Sequence, residues 1–262
     1  MRELPGPRGA PTLLLLHGWT ASADLNWFTT FEALGRRYRV VAMDHRGHGR
    51  GIRSRRRFRL SDCADDAAAL IDVLGTGPVI AVGYSMGGPV AQLLWRRHPD
   101  RVAGLVLCAT SRSFASSAQE RLGFLAMGGA SFAARLTPDV ARQALARRVL
   151  GTRADDRSFE SWIQREVQRT DWTAVLEAGN GLGRFDSSGW IGSVDKPTAV
   201  VATMRDGMVA PARQLALARS IPGATVHPVQ GDHTSCVTDP GRFIPGLLTA
   251  CASVTSRIRP RG

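Results

Sequence analysis

Residues 79–87 decide the fold: Val-Ile-Ala-Val-Gly83-Tyr84-Ser85-Met86-Gly87, a short apolar run followed at once by a G-x-S-x-G sequence. The run predicts a buried strand, and apolar side chains at helical spacing predict a helix over residues 86–97 that ends at His98-Pro99. A serine on such a tight turn projects from the strand, beside a helix N-terminus that favours developing negative charge. Ser85 is therefore the candidate nucleophile.

Strands and helices alternate on both sides of this motif. Runs that are apolar on both faces predict buried parallel strands at residues 12–16, 39–43, 79–82, 104–108, 198–203 and 225–229. Amphipathic stretches predict helices at residues 60–74, 86–97, 211–220 and 242–252. This pattern is typical of the α/β class, with a mostly parallel sheet flanked by helices.

One long stretch, residues 112–193, contains no buried strand pattern and is rich in alanine, arginine and aromatic residues. We therefore expect a core of residues 1–111 and 194–262, with a helical insertion over residues 112–193. The aromatic residues of the insertion include Phe114, Phe124, Phe132, Phe159, Trp162, Trp172, Phe185 and Trp190. They either pack the insertion onto the core or line an apolar pocket beneath a lid.

A nucleophilic serine needs a neighbouring base, and the base needs a carboxylate that fixes its tautomer. Asp206 follows the strand predicted at 198–203, and His233 follows the one at 225–229. Both residues therefore fall at the carboxyl ends of strands, the edge where open α/β sheets place their sites. We predict that His233 is the general base for Ser85 and that Asp206 orients it.

The other acids and histidines fit these roles less well. Asp44 comes too early in the chain, Asp195 precedes its strand, and Asp232 should point away from the neighbouring histidine ring. The remaining histidines are interpreted as turn, surface or strand residues: His17, His45, His48, His98 and His227. The negative charge that develops on the substrate oxygen should be held by two backbone amides, those of Met86 and Trp19.

Composition limits the classes of partner. The formal net charge of +12 raises the question of nucleic acid or an anionic membrane. The excess is almost entirely arginine, with one dense cluster at Arg53, Arg55, Arg56, Arg57 and Arg59. No nucleic-acid-binding motif accompanies the cluster, so we expect no nucleic-acid partner and interpret it as a solvated basic loop, which could steer anionic substrates if it borders a cleft.

The apolar run before His17 is too short for a membrane span or a signal peptide, and we expect a cytoplasmic protein. The cysteines show neither a CxxC pair nor metal-ligand spacing, which favours free thiols and predicts no metal site.

Five motifs, taken in order, resemble the α/β-hydrolase superfamily: LLLLHGW, VVAMDHRGHGRG, VGYSMGG, TMRDGMVAP and QGDHTSC. The resemblance is greatest to esterase, lactonase and perhydrolase members with a helical cap. It implies hydrolysis of a small-molecule carboxylic ester or lactone through an acyl-enzyme on Ser85, without a cofactor, and makes residues 112–193 the cap. Members with an aspartate nucleophile, such as epoxide hydrolases, are disfavoured because this turn holds Ser85. The alternatives are a perhydrolase or thioesterase with the same triad, and a non-catalytic small-molecule-binding member.

Three positions depart from the family pattern. About eleven residues precede the first apolar strand where family members usually have two further strands, so we expect a shortened N-terminal edge near Arg2. Asp232 replaces the usual glycine before the histidine, and the arginine cluster follows the RGHG loop where a small residue is usual. The sequence makes no prediction of the oligomeric state.

Overall fold

The computed structural model describes residues 1–115, 117–136 and 159–258. A seven-stranded sheet has the order β1-β3-β2-β4-β5-β6-β7. Its strands are Arg2–Leu4 (β1), Thr12–Leu16 (β2), Arg39–Met43 (β3), Val79–Tyr84 (β4), Val102–Cys108 (β5), Thr198–Thr203 (β6) and Thr225–Val229 (β7). Neighbouring strands from β2 to β7 pair in parallel, whereas β1 pairs antiparallel with β3. The predicted parallel sheet and its short N-terminal edge are confirmed.

In the described residues, helices lie between successive strands from β2 to β7, as the alternating pattern predicts, and two more follow β7. The helices are Ala23–Trp27 (α1), Phe31–Gly35 (α2), Leu60–Leu74 (α3), Gly87–Arg97 (α4), Ala118–Leu136 (α5), Phe159–Gln168 (α6), Trp172–Arg184 (α7), Pro211–Ser220 (α8), Ser235–Thr238 (α9) and Pro240–Thr255 (α10). Short 3-10 turns cover Pro99–Arg101 and Ile191–Ser193. Helix α10 begins two residues before the predicted start.

Successive side chains of the buried strands lie alternately in two hydrophobic layers, one on each face of the sheet. Leu14 and Leu16 of β2 point to the layer that α3, α4 and α8 cover, and Leu13 and Leu15 point to the layer that α1, α2 and α10 cover. Parallel strands covered on both faces have to be apolar on both faces, which is why these strands are continuous apolar runs. The sheet is thereby fixed in the middle of the molecule, with its carboxyl edge open to the connecting loops.

Helices α5, α6 and α7 lie within the predicted insertion, of which residues 116 and 137–158 are outside the described part of the chain. Helix α7 contacts the core loops directly: the Trp19 indole donates to the Val175 carbonyl (2.8 Å), and the Asp171 amide donates to the Gly47 carbonyl (2.8 Å). Several aromatic residues of the segment pack onto the core, among them Phe114, Phe185 and Trp190.

The four cysteines, Cys63, Cys108, Cys236 and Cys251, are buried free thiols, as predicted. Burial raises the pKa of each of them, to about 12 for Cys251. Within the described residues, no cluster of potential ligand side chains has the arrangement to hold a metal ion. No helix in that same part of the chain combines the length and apolar character needed to cross a membrane.

Candidate active site

Ser85 lies on a sharp turn between β4 and α4, with its backbone in the left-handed region at φ 50°. This conformation costs a non-glycine residue about 1–2 kcal/mol, so the surroundings have to hold it. The Ser85 amide donates to the Cys108 carbonyl (2.9 Å), and the Ser85 carbonyl accepts from the Thr110 hydroxyl (2.8 Å). These bonds fix the turn to the end of β5 and direct the serine side chain away from the sheet.

The two glycines that flank the turn are required by close backbone contacts. A Cβ on Gly83 would lie 2.3 Å from the Gly87 carbonyl oxygen, and a Cβ on Gly87 would lie 2.1 Å from the Leu16 carbonyl oxygen. Both distances are far below van der Waals contact. The spacing of the motif is therefore a packing requirement as well as a signature of the turn.

Gly87→Ala is expected to destabilise the protein by at least about 2–3 kcal/mol, because the new methyl group has to displace the backbone of β2. Urea unfolding followed by circular dichroism measures the loss. Gly123→Ala in α5 is the matched control: nothing lies within 4 Å of its Cβ position, and alanine should raise stability slightly. Equal stabilities for the two variants would contradict the packing argument.

The structure brings the three predicted residues together. Ser85 Oγ lies 3.0 Å from His233 Nε2, and His233 Nδ1 lies 2.8 Å from Asp206 Oδ2. Because a carboxylate only accepts hydrogen bonds, Nδ1 carries the proton and Nε2 is left to accept from the serine hydroxyl. The hydroxyl, imidazole and carboxylate thus form one continuous hydrogen-bonded chain in the orientation that proton removal from Ser85 requires.

The Asp206 carboxylate is buried and fully hydrogen-bonded. Its Oδ1 accepts from the amides of Met208 and Val209 (2.8 Å each), and its Oδ2 accepts from the Thr203 hydroxyl (2.8 Å) as well as from His233. Burial alone would raise the pKa of Asp206, but the hydrogen bonds from His233, Val209 and Thr203 outweigh it and hold that pKa below its ordinary value. The carboxylate therefore stays ionised beside the imidazole.

Two residues that the sequence analysis did not single out hold Asp206 and His233 in place. Gln214 of α8 is fully buried, and its amide donates to Asp206 Oδ2 (3.2 Å) and to the Val209 carbonyl (2.7 Å). The Tyr84 hydroxyl donates to the His233 carbonyl (2.8 Å) and so ties the histidine loop to β4. Tyr84 precedes the nucleophile directly and could have been noted, whereas Gln214 carries no local signal because a polar residue on a helix is usually exposed.

The loop of Gly18 and Trp19 lies next to the nucleophile, since a Cβ on Gly18 would be 3.4 Å from Ser85 Cβ. Asn26 fixes the loop by accepting from the Gly18 amide (2.8 Å). Among the described residues, the backbone amides of Trp19 and Met86 donate to no protein acceptor. Both predicted donors are thus free to donate to another acceptor.

The competing acids have other partners. Asp232 accepts from the amide and the hydroxyl of Thr234 (2.8 Å each), whereas the imidazole of His233 pairs with Asp206. Asp44 accepts from the amides of Ala23 (2.6 Å) and Arg50 (2.9 Å), so it is a turn residue, as the sequence analysis proposed.

The interpretation of His17, His45 and His48 as turn or surface residues is wrong in one respect, because all three are completely buried. Their rings form a cluster, with centroids 4.3 Å apart for His17 and His45 and 5.4 Å apart for His17 and His48. The His45 amide donates to His17 Nε2 (2.9 Å), which draws the loop after β3 under the loop after β2. Burial lowers the pKa of all three imidazoles, to about 3 for His48.

Acidification is expected to destabilise the protein through this cluster. A buried imidazole with a lowered pKa stays neutral in the folded state, whereas the unfolded chain gains a proton below about pH 6.5. The stabilising contribution is therefore complete above that pH and decreases as the pH falls, by about 1.4 kcal/mol per unit for each histidine. Urea unfolding at pH 7.5 and 5.5 should show a lower free energy of unfolding at the lower pH.

Single histidine variants test whether the pH dependence of stability comes from the buried cluster. His48→Gln should reduce the pH dependence, while His98→Gln should leave it in place, because the His98 side chain is 34% exposed and pairs with Asp65. The same free energy of unfolding at both pH values in the unmodified protein would contradict the prediction that the buried histidines make stability depend on pH.

Residues 11–240 match the family model described as alpha/beta hydrolase fold, and the chain belongs to this family. The matched range contains strands β2 to β7, the turn at Ser85 and the histidine loop described above.

Individual relatives agree with the family assignment. Epoxide hydrolase B of Mycobacterium tuberculosis is 36% identical over 107 residues, 40% of this chain and 30% of that protein. A RutD protein of Agrobacterium fabrum is 28% identical over 254 residues, 91% of this chain and 92% of its own. The solved structure of a thermophilic esterase from Thermogutta terrifontis has a TM-score of 0.74 at 25% identity, covering 97% of this chain and 92% of that chain. Several curated relatives are matched over only 30 to 38% of their length.

Proposed function

We propose that the protein is a serine hydrolase that cleaves a carboxylic ester or a lactone through an acyl-enzyme on Ser85. The observation that carries the proposal is the hydrogen-bonded chain from Ser85 through His233 to Asp206, at 3.0 Å and 2.8 Å. A hydroxyl in this setting can be deprotonated as it attacks, and the ionised carboxylate stabilises the imidazolium that forms.

In the proposed reaction, Ser85 Oγ attacks the ester carbonyl carbon and its proton passes to His233 Nε2. The negative charge moves to the carbonyl oxygen, where the amides of Trp19 and Met86 would donate to it. Collapse of this intermediate breaks the bond to the alcohol oxygen, which takes the proton from His233. A water molecule then attacks the acyl-enzyme with His233 as the base, releasing the acid and restoring the Ser85 hydroxyl.

Ester or lactone cleavage is preferred over epoxide opening because the residue at the turn is Ser85. An enzyme with an aspartate nucleophile would have a carboxylate at this position. The local match to an epoxide hydrolase covers 40% of the chain. The similarity to an esterase structure extends over 97% of the chain.

We also propose that residues 112–193 form a cap over a core of residues 1–111 and 194–262. The supporting contact is that of α7 with the loop that carries Trp19, whose indole donates to the Val175 carbonyl. A helix bonded to this loop is well placed to shape the acyl pocket.

Labelling with a fluorophosphonate probe tests the proposed function. We expect one covalent adduct per chain, mapped by peptide mass spectrometry to Ser85, because the probe reacts with activated serines. Ser111→Ala is the matched control: Ser111 is also a buried serine after a strand, and its loss should leave labelling unchanged. An adduct on another serine, or no adduct on the folded protein, would contradict the proposal.

A further inference from the structure

A cleft of about 530 Å³ lies between residues 57–61 and the helices α5 and α7. Arg57, Arg59 and Arg184 line it. All three are exposed, and none of them forms an ion pair with a carboxylate of the described residues. Other exposed arginines of this chain are paired, as Arg97 is with Asp65 and Arg36 with Glu32. Three guanidinium groups around one cavity therefore form a concentrated positive site.

The inner wall of the cleft is apolar. Phe58, Leu60 and Phe185 line it and belong to the hydrophobic core, and the 54% exposed Leu125 of α5 extends this surface outward. Gly129 leaves space on α5, since nothing lies within 4 Å of its Cβ position. The cleft thus offers a hydrocarbon surface beside a cationic rim.

The remaining charges around the cleft leave the positive potential in place. In the part of the chain that the structure describes, Glu177 is the carboxylate that lines it, and this side chain is buried and already accepts from the Phe58 amide (2.7 Å). Among the described lining residues, three guanidinium groups against one engaged carboxylate give a net positive charge. Arg59 is also the N-cap residue of the fifteen-residue α3, and no side chain caps that helix end, so the positive end of its dipole adds to the field.

We propose that this cleft binds an organic anion with an apolar tail, a carboxylate on a hydrocarbon chain. The guanidinium groups of Arg57, Arg59 and Arg184 supply charge-assisted hydrogen bonds to the carboxylate, for which their planar donors are suited. The apolar wall takes the chain. Ser85, Asp206 and His233 are not among the described residues that line the cleft, so this site is distinct from the proposed site of hydrolysis.

Helix α7 links this site to the candidate active site. Arg184 and Gly181 of α7 line the cleft, and Gly179 lies against Trp19, with its Cβ position 2.8 Å from Trp19 Cζ2. A ligand in the cleft therefore contacts the helix that rests on the Trp19 loop.

Isothermal titration with octanoate tests the proposal, using 1-octanol as the uncharged probe of the same length. We expect octanoate to bind the unmodified protein, to bind at least about tenfold more weakly to Arg59→Gln/Arg184→Gln, and to weaken with added salt. The matched control is Arg8→Gln/Arg219→Gln, two exposed arginines outside the cleft, which should bind normally. Circular dichroism and the single variant Arg184→Gln, expected to show an intermediate loss, exclude misfolding as the cause.

Three results would overturn the proposal: the same octanoate affinity in the cleft variant, 1-octanol binding as tightly as octanoate, or no octanoate binding to the unmodified protein. Titration of the fluorophosphonate-labelled protein locates the ligand. Affinity that survives labelling and disappears in the cleft variant supports the cleft, whereas affinity that labelling alone abolishes places octanoate at Ser85. Because the arginine variants are measured by binding, the result does not depend on turnover.

Discussion

Ser85→Ala is expected to lower kcat/KM for p-nitrophenyl butyrate by at least about 10³–10⁴-fold, because it removes the hydroxyl that hydrogen-bonds His233 Nε2 and would form the acyl-enzyme. This factor corresponds to about 4–5.5 kcal/mol of lost transition-state stabilisation. The fold should be preserved, since the variant keeps every backbone hydrogen bond of the turn. Initial rates on the purified protein measure the loss, and Ser111→Ala should retain the full rate.

A double variant sharpens this test. If Ser85 and His233 act as one unit, Ser85→Ala/His233→Ala should be no slower than Ser85→Ala alone, because residues that work together lose their effect together. Multiplicative losses would show that His233 serves a separate purpose. A Ser85→Ala protein that retains more than a tenth of the rate would exclude the proposed mechanism altogether.

Asp206→Asn is expected to lower kcat for the same ester by about 10²–10⁴-fold while leaving the fold intact. The asparagine oxygen can keep the bonds from the Met208 and Val209 amides, which turns its NH2 group toward His233. That group donates where Asp206 accepted, so the imidazole takes the tautomer with its proton on Nε2. In this tautomer Nε2 is unable to accept the proton of Ser85.

The matched control for Asp206 is its competitor from the sequence. Asp232→Asn removes a carboxylate next to His233 in sequence that bonds Thr234, while the ring bonds Asp206, and kcat should change by less than about threefold. Comparable losses in the two variants would mean that the acid has been misassigned. Thermal unfolding of both variants shows whether a loss of rate reflects a loss of structure.

The sheet and the three residues of the candidate site were predictable because their signals are local. Strands β2, β3, β6 and β7 have the bounds predicted from the apolar runs, and β4 and β5 are two residues longer. Ser85, Asp206 and His233 each follow a strand, and parallel strands end at one edge. Their places at the ends of strands therefore predicted the proximity of His233 to Asp206, 27 positions away, and to Ser85, 148 positions away.

The parts that were missed depend on tertiary contacts. The buried cluster of His17, His45 and His48 arises because two loops stack on each other, and polar loop residues are ordinarily exposed. The role of Gln214 depends on where α8 packs against β6. The cleft beside Arg59 depends on the approach of α7 to the loop after β3, which no spacing in the sequence encodes.

The reactivity of the four buried thiols can report local unfolding of the protein. A thiol reacts as the thiolate, and burial in the core both shields these sulfurs and disfavours that ionised form. Alkylating reagents should therefore leave the cysteines of the native protein unmodified. They should react with a cysteine only when the hydrophobic layer that contains it unfolds. Cys63 lies in one layer and Cys108, Cys236 and Cys251 in the other, so the order in which they are modified reports which side of the sheet opens first.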